Sequence, residues 1–284
     1  MSEGLTARSL LFVPATRPER FAKAEGSGAD IVAVDLEDSV APRDKATARR
    51  HALAWLSSPR SGPAARALRV NSTRTVDGLR DVLALLEASE EPDLVVLPKA
   101  EAAADLVQLH ALLRAAGKRT RLVALIESAV ALAHLDEIAR ATPRLTALLL
   151  GSADLRAANG WEGLLYARSC LVRAAAAARL DVLDAPCFDL AGPGTLEEET
   201  RGAQRLGFTG KCAIHPKHIA TINATFSPTT AEVEEARLIL AENEKGVGVV
   251  GGRMIDEAVA RRARRVLALA ERTGAGKGGG EGGR

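Results

Sequence analysis

The sequence predicts a closed (β/α)8 barrel, or TIM barrel, with a helical appendage at its C-terminal end. Short runs rich in Val, Leu and Ile recur about every 30 residues, with helix-like segments between them. The runs are mostly continuous rather than alternating, which is typical of parallel strands buried on both faces. Eight such units within roughly 215 residues favour a closed barrel over a doubly wound open sheet.

Each predicted strand is a short apolar run that ends on polar residues. The eight strands are 9–15, 30–38, 67–71, 94–100, 121–128, 147–154, 181–189 and 210–216. The segments between them carry apolar residues at spacings of three and four, which predicts helices. These helices are 17–28, 44–56, 75–89, 101–117, 128–141, 167–180 and 195–207.

The chain divides into three parts. Residues 1–226 form the predicted barrel, and residues 227–272 form a helical extension too small for its own core, which we expect to pack on the barrel or on a neighbouring subunit. Gly246, Gly248 and Gly251 follow a helix rather than a strand, so this G-x-G-x-x-G predicts a hairpin or loop instead of a dinucleotide site. Residues 273–284 predict a disordered Gly-rich tail.

Composition excludes several classes of protein. The net charge is +2, with 38 basic and 36 acidic residues, so nucleic-acid binding by general electrostatics is not expected. Three widely spaced cysteines support neither a zinc knuckle nor a disulfide framework, which fits a cytoplasmic protein. No apolar run approaches the ~18 residues of a membrane span.

Charged residues collect at the predicted carboxyl ends of the strands, where TIM barrels carry their active sites. They are Arg17, Arg20, Asp35, Glu37, Asp38, Arg69, Lys99, Glu127, Asp154, Asp189 and His215. The opposite ends of the strands carry far fewer charges. The sequence therefore predicts a site made of acids that face a few cations.

Glu127 and Asp154 follow neighbouring strands. Two carboxylates at one rim, without a His or Cys cluster, suit a hard divalent cation such as Mg²⁺. The equally supported alternative is that Glu127 pairs with Lys99 or caps the helix that begins at Ser128.

Three further residues allow two interpretations each. Arg69 suits a substrate carboxylate, or else an ion pair with Glu37 or Asp35. Lys99 is a candidate Schiff-base nucleophile, although a structural ion pair is the favoured interpretation. His215 is a candidate base, although a satisfied structural histidine is favoured.

Several motifs together resemble the HpcH/HpaI aldolase/citrate lyase family, in its citrate lyase β-subunit branch. They are "RSLLFVPATRPERFAKA", "GADIVAVDLEDSVAPRDKATAR", "RVN", "LPKAE", "IESA", "GSADL", "LGFTGKCAIHP" and "GGRMID", in that order. The resemblance implies a Mg²⁺-dependent TIM-barrel lyase, usually a trimer or a dimer of trimers. Its substrates would be citryl, malyl or citramalyl thioesters of CoA or of an acyl-carrier subunit.

The resemblance also implies roles for individual residues. Glu127 and Asp154 would be the metal ligands, and Arg69 would hold the 2-oxoacid, such as oxaloacetate. Arg17, Arg20 and Lys23 match a basic stretch near the phosphopantetheine. Asp256, within "GGRMID", matches an aspartate that reaches a neighbouring subunit's site.

The expected reaction is a retro-Claisen cleavage into a 2-oxoacid and an acetyl thioester. Asp256 is the candidate proton shuttle at the enolate carbon, and Glu37 is an alternative base. Two rival hypotheses are a Schiff-base aldolase that uses Lys99, and a partner-dependent subunit that binds oxaloacetate without turning over alone.

Overall fold

The computed structural model describes residues 5–189, 193–243, 248–250 and 253–273. These residues belong to two compact units, Met1–Thr225 and Phe226–Arg284.

The first unit is a closed barrel of eight parallel strands, so the predicted fold class is confirmed. Each strand pairs with the next in the chain, and β8 pairs with β1 through Ser9–Lys211, Leu10–Cys212 and Leu11–Ala213. Closure leaves no free sheet edge, which the rival open sheet would have. The strands are β1 Ser9–Pro14, β2 Ile31–Asp35, β3 Ala65–Arg69, β4 Leu94–Leu97, β5 Arg121–Ile126, β6 Leu145–Leu150, β7 Asp181–Asp184 and β8 Gly210–Ala213.

Helices alternate with these strands along the chain. They are α1 Phe21–Glu25, α2 Lys45–Leu56, α3 Val76–Glu87, α4 Ala103–Ala115, α5 Ala129–Ala133, α6 Leu135–Ala139, α7 Ser152–Ala178, α8 Pro193–Leu206 and α9 Ile219–Phe226. Gly117 has φ +71° just beyond α4 and donates its N–H to Arg114 O, so the predicted glycine stop of this helix is confirmed.

The barrel interior is filled by alternate residues of the strands, which are apolar and fully buried. Ile31 and Ala33 of β2, Leu94 and Val96 of β4, and Cys212 of β8 belong to this core. Period-two alternation sends the intervening residues outward against the helices, where they are also buried. Burial on both faces is the physical reason why the strands appear as continuous apolar runs.

The region after β6 differs from the sequence prediction. We expected a strand through Asp154 and a helix from 167, whereas β6 ends at Leu150 and α7 begins at Ser152. Gly160 interrupts α7 with φ +70° and ψ −176°, so two helical segments meet there. Similarly, the helix expected over 128–141 is two short helices, α5 and α6.

The second unit contains two helices, α10 Thr230–Asn243 and α11 Glu257–Thr273, which pack against each other. Between them, β9 Gly248–Val250 and β10 Arg253–Ile255 pair antiparallel, as the predicted hairpin requires. Gly246, Gly251 and most of the predicted Gly-rich tail, residues 274–284, lie outside the described residues. In the part of the chain that the structure describes, we find no helix with the length and hydropathy needed to cross a membrane.

Candidate functional site

A cavity of about 420 Å³ lies at the carboxyl ends of the barrel strands. Its charged lining consists of four carboxylates, those of Asp35, Asp38, Glu127 and Asp154, and one guanidinium, that of Arg69. The remainder is mostly apolar and comes from β1, β5, β6 and the segments after β6, β7 and β8: Phe12, Pro14, Leu125, Leu149, Leu150, Ala153, Pro186, Phe188 and Ile214. The predicted metal ligands and the predicted substrate-binding arginine therefore line one cavity.

Glu127 follows the last residue of β5, and its side chain is only 6% exposed. Oε1 accepts a 2.8 Å hydrogen bond from the Lys99 backbone N–H. Burial, reinforced by the negative charge of Glu37, raises the pKa of Glu127 to about 7. Ser128, rather than Glu127, caps α5, because its Oγ accepts from Ala131 N over 3.1 Å. The alternative in which Glu127 is the helix cap is therefore wrong.

Asp154 lies in the first turn of α7 rather than at the end of a strand. Gly151, between β6 and α7, allows this turn to approach Glu127 closely. A Cβ atom built on Gly151 would lie 2.3 Å from Glu127 Cβ and 2.9 Å from Glu127 Oε2, closer than real side chains come. Sequence analysis did not identify Gly151, although its place directly before "SAD" is a visible signal.

Glu127 and Asp154 are chemically suited to Mg²⁺. Burial and the charge of Glu37 are the largest causes of the raised Glu127 pKa, and the negative charge of Asp154 makes a smaller contribution. The two carboxylates therefore repel each other. A divalent cation would relieve this repulsion. Among the described residues, no three His, Cys, Asp or Glu side chains form a ready metal cluster. Two carboxylates, completed by water and substrate oxygens, are a usual protein contribution to a magnesium site.

Arg69 is the last residue of β3 and forms the ion pair that one of the two interpretations predicted. Its Nε donates to Asp35 Oδ1 over 2.6 Å, and Nη2 donates to Asp35 Oδ2 over 2.7 Å. Burial opposes ionisation of Asp35, but the hydrogen bonds and charge of Arg69 outweigh it and lower the Asp35 pKa. Phe12, which the sequence analysis missed, lies with its ring centroid 5.0 Å from the guanidinium carbon.

The third nitrogen of the guanidinium, Nη1, makes no bond to Asp35 and instead donates a hydrogen bond to Asp38 Oδ2. It lies 3.2 Å from Glu37 Oε2 and 3.3 Å from Asp38 Oδ2. Asp38 is 63% exposed, so this corner of Arg69 faces the open part of the site.

Glu37 is buried between two cations and is not among the residues that line the cavity. Lys99 Nζ donates to Glu37 Oε1 over 2.5 Å, while Oε2 has the Arg69 ion pair and no hydrogen bond. Burial raises the pKa of Glu37 by more than the Lys99 hydrogen bond lowers it. This position does not favour Glu37 as a base in direct contact with substrate.

Lys99 forms the ion pair that we favoured over the Schiff base. Burial tends to lower the pKa of the ammonium group, but the hydrogen bond and charge of Glu37 outweigh it, so the pKa of Lys99 is raised. A Schiff-base nucleophile needs the opposite shift, because only the neutral amine attacks a carbonyl.

The predicted basic stretch lies on and around α1. Arg17, Arg20 and Lys23 are all exposed. Arg20 and Lys23 line a second cavity, of about 350 Å³, together with His215. The Nδ1 atom of His215 accepts from Lys217 N over 3.1 Å, which agrees with the structural histidine that we favoured.

Asp256 lies in the second unit, directly before α11, and is exposed. Its Oδ1 accepts a 2.9 Å hydrogen bond from Val259 N, which is the geometry of a helix N-cap.

Comparison with known proteins gives consistent relatives over nearly the whole chain. The L-malyl-CoA/beta-methylmalyl-CoA lyase of Rhodobacter capsulatus is 36% identical over 93% of this chain and 94% of its own. The citrate lyase subunit beta of Escherichia coli is 34% identical, with 95% of each chain covered. The solved structure of CitE from Mycobacterium tuberculosis, in complex with magnesium, acetoacetate and coenzyme A, has a TM-score of 0.74 and 32% identity. It covers 94% of this chain and 99% of that one.

Two family models match as well. The model described as "C-C_Bond_Lyase of the TIM-Barrel fold" matches residues 169–275. With the lyases among the relatives, it confirms the prediction of a carbon–carbon lyase. The model described as "HpcH/HpaI aldolase/citrate lyase" matches residues 8–216, most of the barrel. The chain therefore belongs to the HpcH/HpaI aldolase/citrate lyase family.

Proposed function

We propose that this protein is a magnesium-dependent lyase that cleaves a β-hydroxyacyl thioester into a 2-oxoacid and an acyl thioester. The observation that carries the proposal is the convergence of Glu127, Asp154 and Arg69 on one cavity at the carboxyl ends of the strands. Relatives named as malyl-CoA lyase and citrate lyase subunit beta support the reaction class.

Glu127 and Asp154 would hold the magnesium ion. The magnesium complex of the relative from Mycobacterium tuberculosis supports this assignment. When bound, Mg²⁺ supplies positive charge beside the substrate oxygen that becomes the carbonyl of the 2-oxoacid. Gly151 allows Glu127 to occupy its place, and the Lys99 N–H orients the Glu127 carboxylate for this role.

Arg69 would bind the carboxylate of the 2-oxoacid through Nη1, because Nε and Nη2 hold the buried Asp35, whereas Nη1 donates to the exposed Asp38. The substrate hydroxyl gives its proton to a carboxylate at this rim. Asp38 lines the cavity beside Arg69, so its position favours this role more than the buried position of Glu37 does.

Loss of the hydroxyl proton turns the alcohol carbon into a carbonyl as the carbon–carbon bond breaks. The bonding electrons pass to the α-carbon of the acyl thioester as an enolate. Asp256 would then act as the proton shuttle to the enolate carbon. Its exposed position and the family resemblance support a contribution to a neighbouring subunit's site.

Arg20 and Lys23 would receive phosphates of CoA, or of the phosphopantetheine of an acyl-carrier subunit, with Arg17 nearby. A homotrimer or a dimer of trimers is the assembly that the family resemblance supports, and the three widely spaced cysteines fit a location in the cytoplasm.

Turnover of thioesters by the purified chain tests the function. We expect release of glyoxylate, pyruvate or oxaloacetate from malyl-, citramalyl- or citryl-CoA in the presence of Mg²⁺, and none after treatment with EDTA. Turnover that survives EDTA, or a borohydride-trapped adduct on Lys99, would exclude the scheme. If turnover appears only with an acyl-carrier partner, the partner-dependent subunit is the correct function.

A further inference from the structure

Lys99 has an unusual backbone conformation beside Glu127, one of the residues that line the cavity. It follows β4 with φ +50°, in the left-handed region that residues with a Cβ rarely adopt. In this conformation the backbone N–H donates to Glu127 Oε1 over 2.8 Å, while the side chain reaches Glu37. One residue thus contacts two buried carboxylates through two different groups.

The ammonium group lies between those carboxylates. Lys99 Nζ is 2.5 Å from Glu37 Oε1 and 4.0 Å from Glu127 Oε1, and the two glutamate side chains are 8% and 6% exposed. Glu37 in turn faces Arg69 Nη1 at 3.2 Å. A continuous chain of contacts therefore runs from Lys99 through Glu37 to Arg69.

We propose that Lys99 is a positioning residue that acts on Glu127 through its backbone N–H and on Arg69 through Glu37. Its side chain anchors Glu37 beside Arg69, and Arg69 keeps its two bonds to Asp35. This inference rests on the proposed function for its catalytic consequence, but not for its effect on metal binding.

Without the ammonium group, the carboxylate of Glu37 has Arg69 as its one remaining cationic partner among the described residues, while Lys45 still bonds the Glu37 backbone carbonyl. Arg69 is then drawn toward Glu37, and its Nη1 becomes less available to a substrate carboxylate. The site also loses a positive charge close to Glu127, while the backbone N–H that orients Glu127 remains. Substrate binding should therefore weaken and divalent-ion binding should tighten, a pair of opposite effects that a general loss of structure cannot produce.

The test uses the full chain with Lys99→Met, Lys99→Arg, Glu37→Gln and the Lys99→Met/Glu37→Gln double variant. Lys118→Met is the matched control, because Lys118 Nζ donates to the Ala88 carbonyl, in the loop after α3, and its charge acts on Glu91 rather than on the site. Binding of Mn²⁺ without substrate is followed by electron paramagnetic resonance, and kcat and KM are measured on the thioester that the wild type cleaves.

We expect Lys99→Met to bind Mn²⁺ about threefold tighter or better, and to raise KM about tenfold or more, by Coulomb and hydrogen-bond arguments. Lys99→Arg should have a KM close to that of the wild type, because it retains the positive charge. The KM of the double variant should not exceed that of the single variant with the higher KM, because both changes act on Arg69 through Glu37.

Weaker Mn²⁺ binding in Lys99→Met, an unchanged KM, or additive effects in the double variant would each overturn the proposal. If the wild type cleaves no thioester, the proposed function fails, and the Mn²⁺ measurement alone still decides whether Lys99 acts on the metal site.

Discussion

If Glu127 is the metal ligand that we propose, a proton and a metal ion compete for its carboxylate. Burial and the charge of Glu37 raise the pKa to about 7, and only the deprotonated form binds Mg²⁺. Affinity for Mg²⁺ should be full above pH 7 and should fall as the pH drops below it, by up to about tenfold per pH unit. Calorimetric titration at pH 8, 7 and 6 measures this.

Glu127→Gln is the control for that experiment. It should bind Mg²⁺ weakly at every pH and lose the steep dependence near pH 7. An affinity that stays constant in the wild type from pH 8 to pH 6 would contradict the role of Glu127.

Gly151 provides a second test at the residue scale. A methyl group there would lie 2.3 Å from Glu127 Cβ, so Gly151→Ala must displace Glu127 or the start of α7. We expect Mg²⁺ affinity to fall at least about tenfold, since metal sites tolerate ligand shifts of only ~0.5 Å. Gly194→Ala is the matched control, because a Cβ there meets nothing within 4 Å. Equal Mg²⁺ affinities in the two variants would refute the argument.

Individual residues show how far sequence alone could locate the site. That Glu127, Asp154 and Arg69 line one cavity could be predicted, because each stands where an apolar run gives way to charge. The strained backbone of Lys99 could not be predicted, since φ depends on how the β4 exit packs. The choice between substrate and Asp35 as the partner of Arg69 also required the structure, because the two residues lie 34 positions apart.

At the scale of elements, Ser128 separates the proposed metal ligand Glu127 from α5. Its Oγ accepts from Ala131 N, so Ser128→Ala should destabilise the protein by about 1 kcal/mol. Urea unfolding monitored by circular dichroism measures the loss. Ser128→Thr retains the acceptor and should stay within about 0.5 kcal/mol of the wild type. If both variants are equally unstable, the cap is not the cause.

Strands were predicted more successfully than helices, for a physical reason. A strand buried on both faces produces an apolar run that is hard to miss. The start of α7 is less visible, because "GSADLRAANG" mixes small and polar residues and contains Gly160, which breaks the helix. The predicted position of Asp154 at a strand end is therefore wrong. The predicted proximity of Asp154 to Glu127 is right, because β5 and β6 are adjacent.

At the scale of the whole molecule, the buried pair of Arg66 and Glu25 links β3 to α1. Arg66 Nε donates to Glu25 Oε1 over 2.6 Å, and Nη1 donates to the carbonyls of Trp55 and Ser58. Sequence patterns gave no indication of this pair, because its members lie 41 residues apart and meet only after the barrel closes.

This pair predicts how stability depends on pH. Burial tends to raise the pKa of Glu25, but its hydrogen bonds with Arg66 and Ser61 outweigh burial and lower it. A lowered pKa means that the folded state favours the ionised form. The pair therefore contributes its full stability above the unfolded-state pKa near 4.5, and loses it as the pH falls through the lower folded value.

Glu25→Gln tests this prediction. It should lower the free energy of unfolding by about 2 kcal/mol at pH 7, the cost of breaking a charged hydrogen bond at a buried site. The difference from the wild type should shrink as the pH is lowered below 4.5. Denaturant unfolding at pH 7, 5 and 3.5 measures it, and a difference that grows toward low pH would reverse the assigned sign.

The double hydrogen bond between Arg69 and Asp35 has a consequence for how tightly a small acid can be held. A free arginine side chain samples many rotamers, and fixing it on a ligand costs up to about 2 kcal/mol of conformational entropy. Here Asp35 and the Phe12 ring have already fixed the guanidinium group. A fragment as small as a three-carbon keto acid therefore meets a receptor that loses little freedom on docking, which helps a ligand with few atoms to bind.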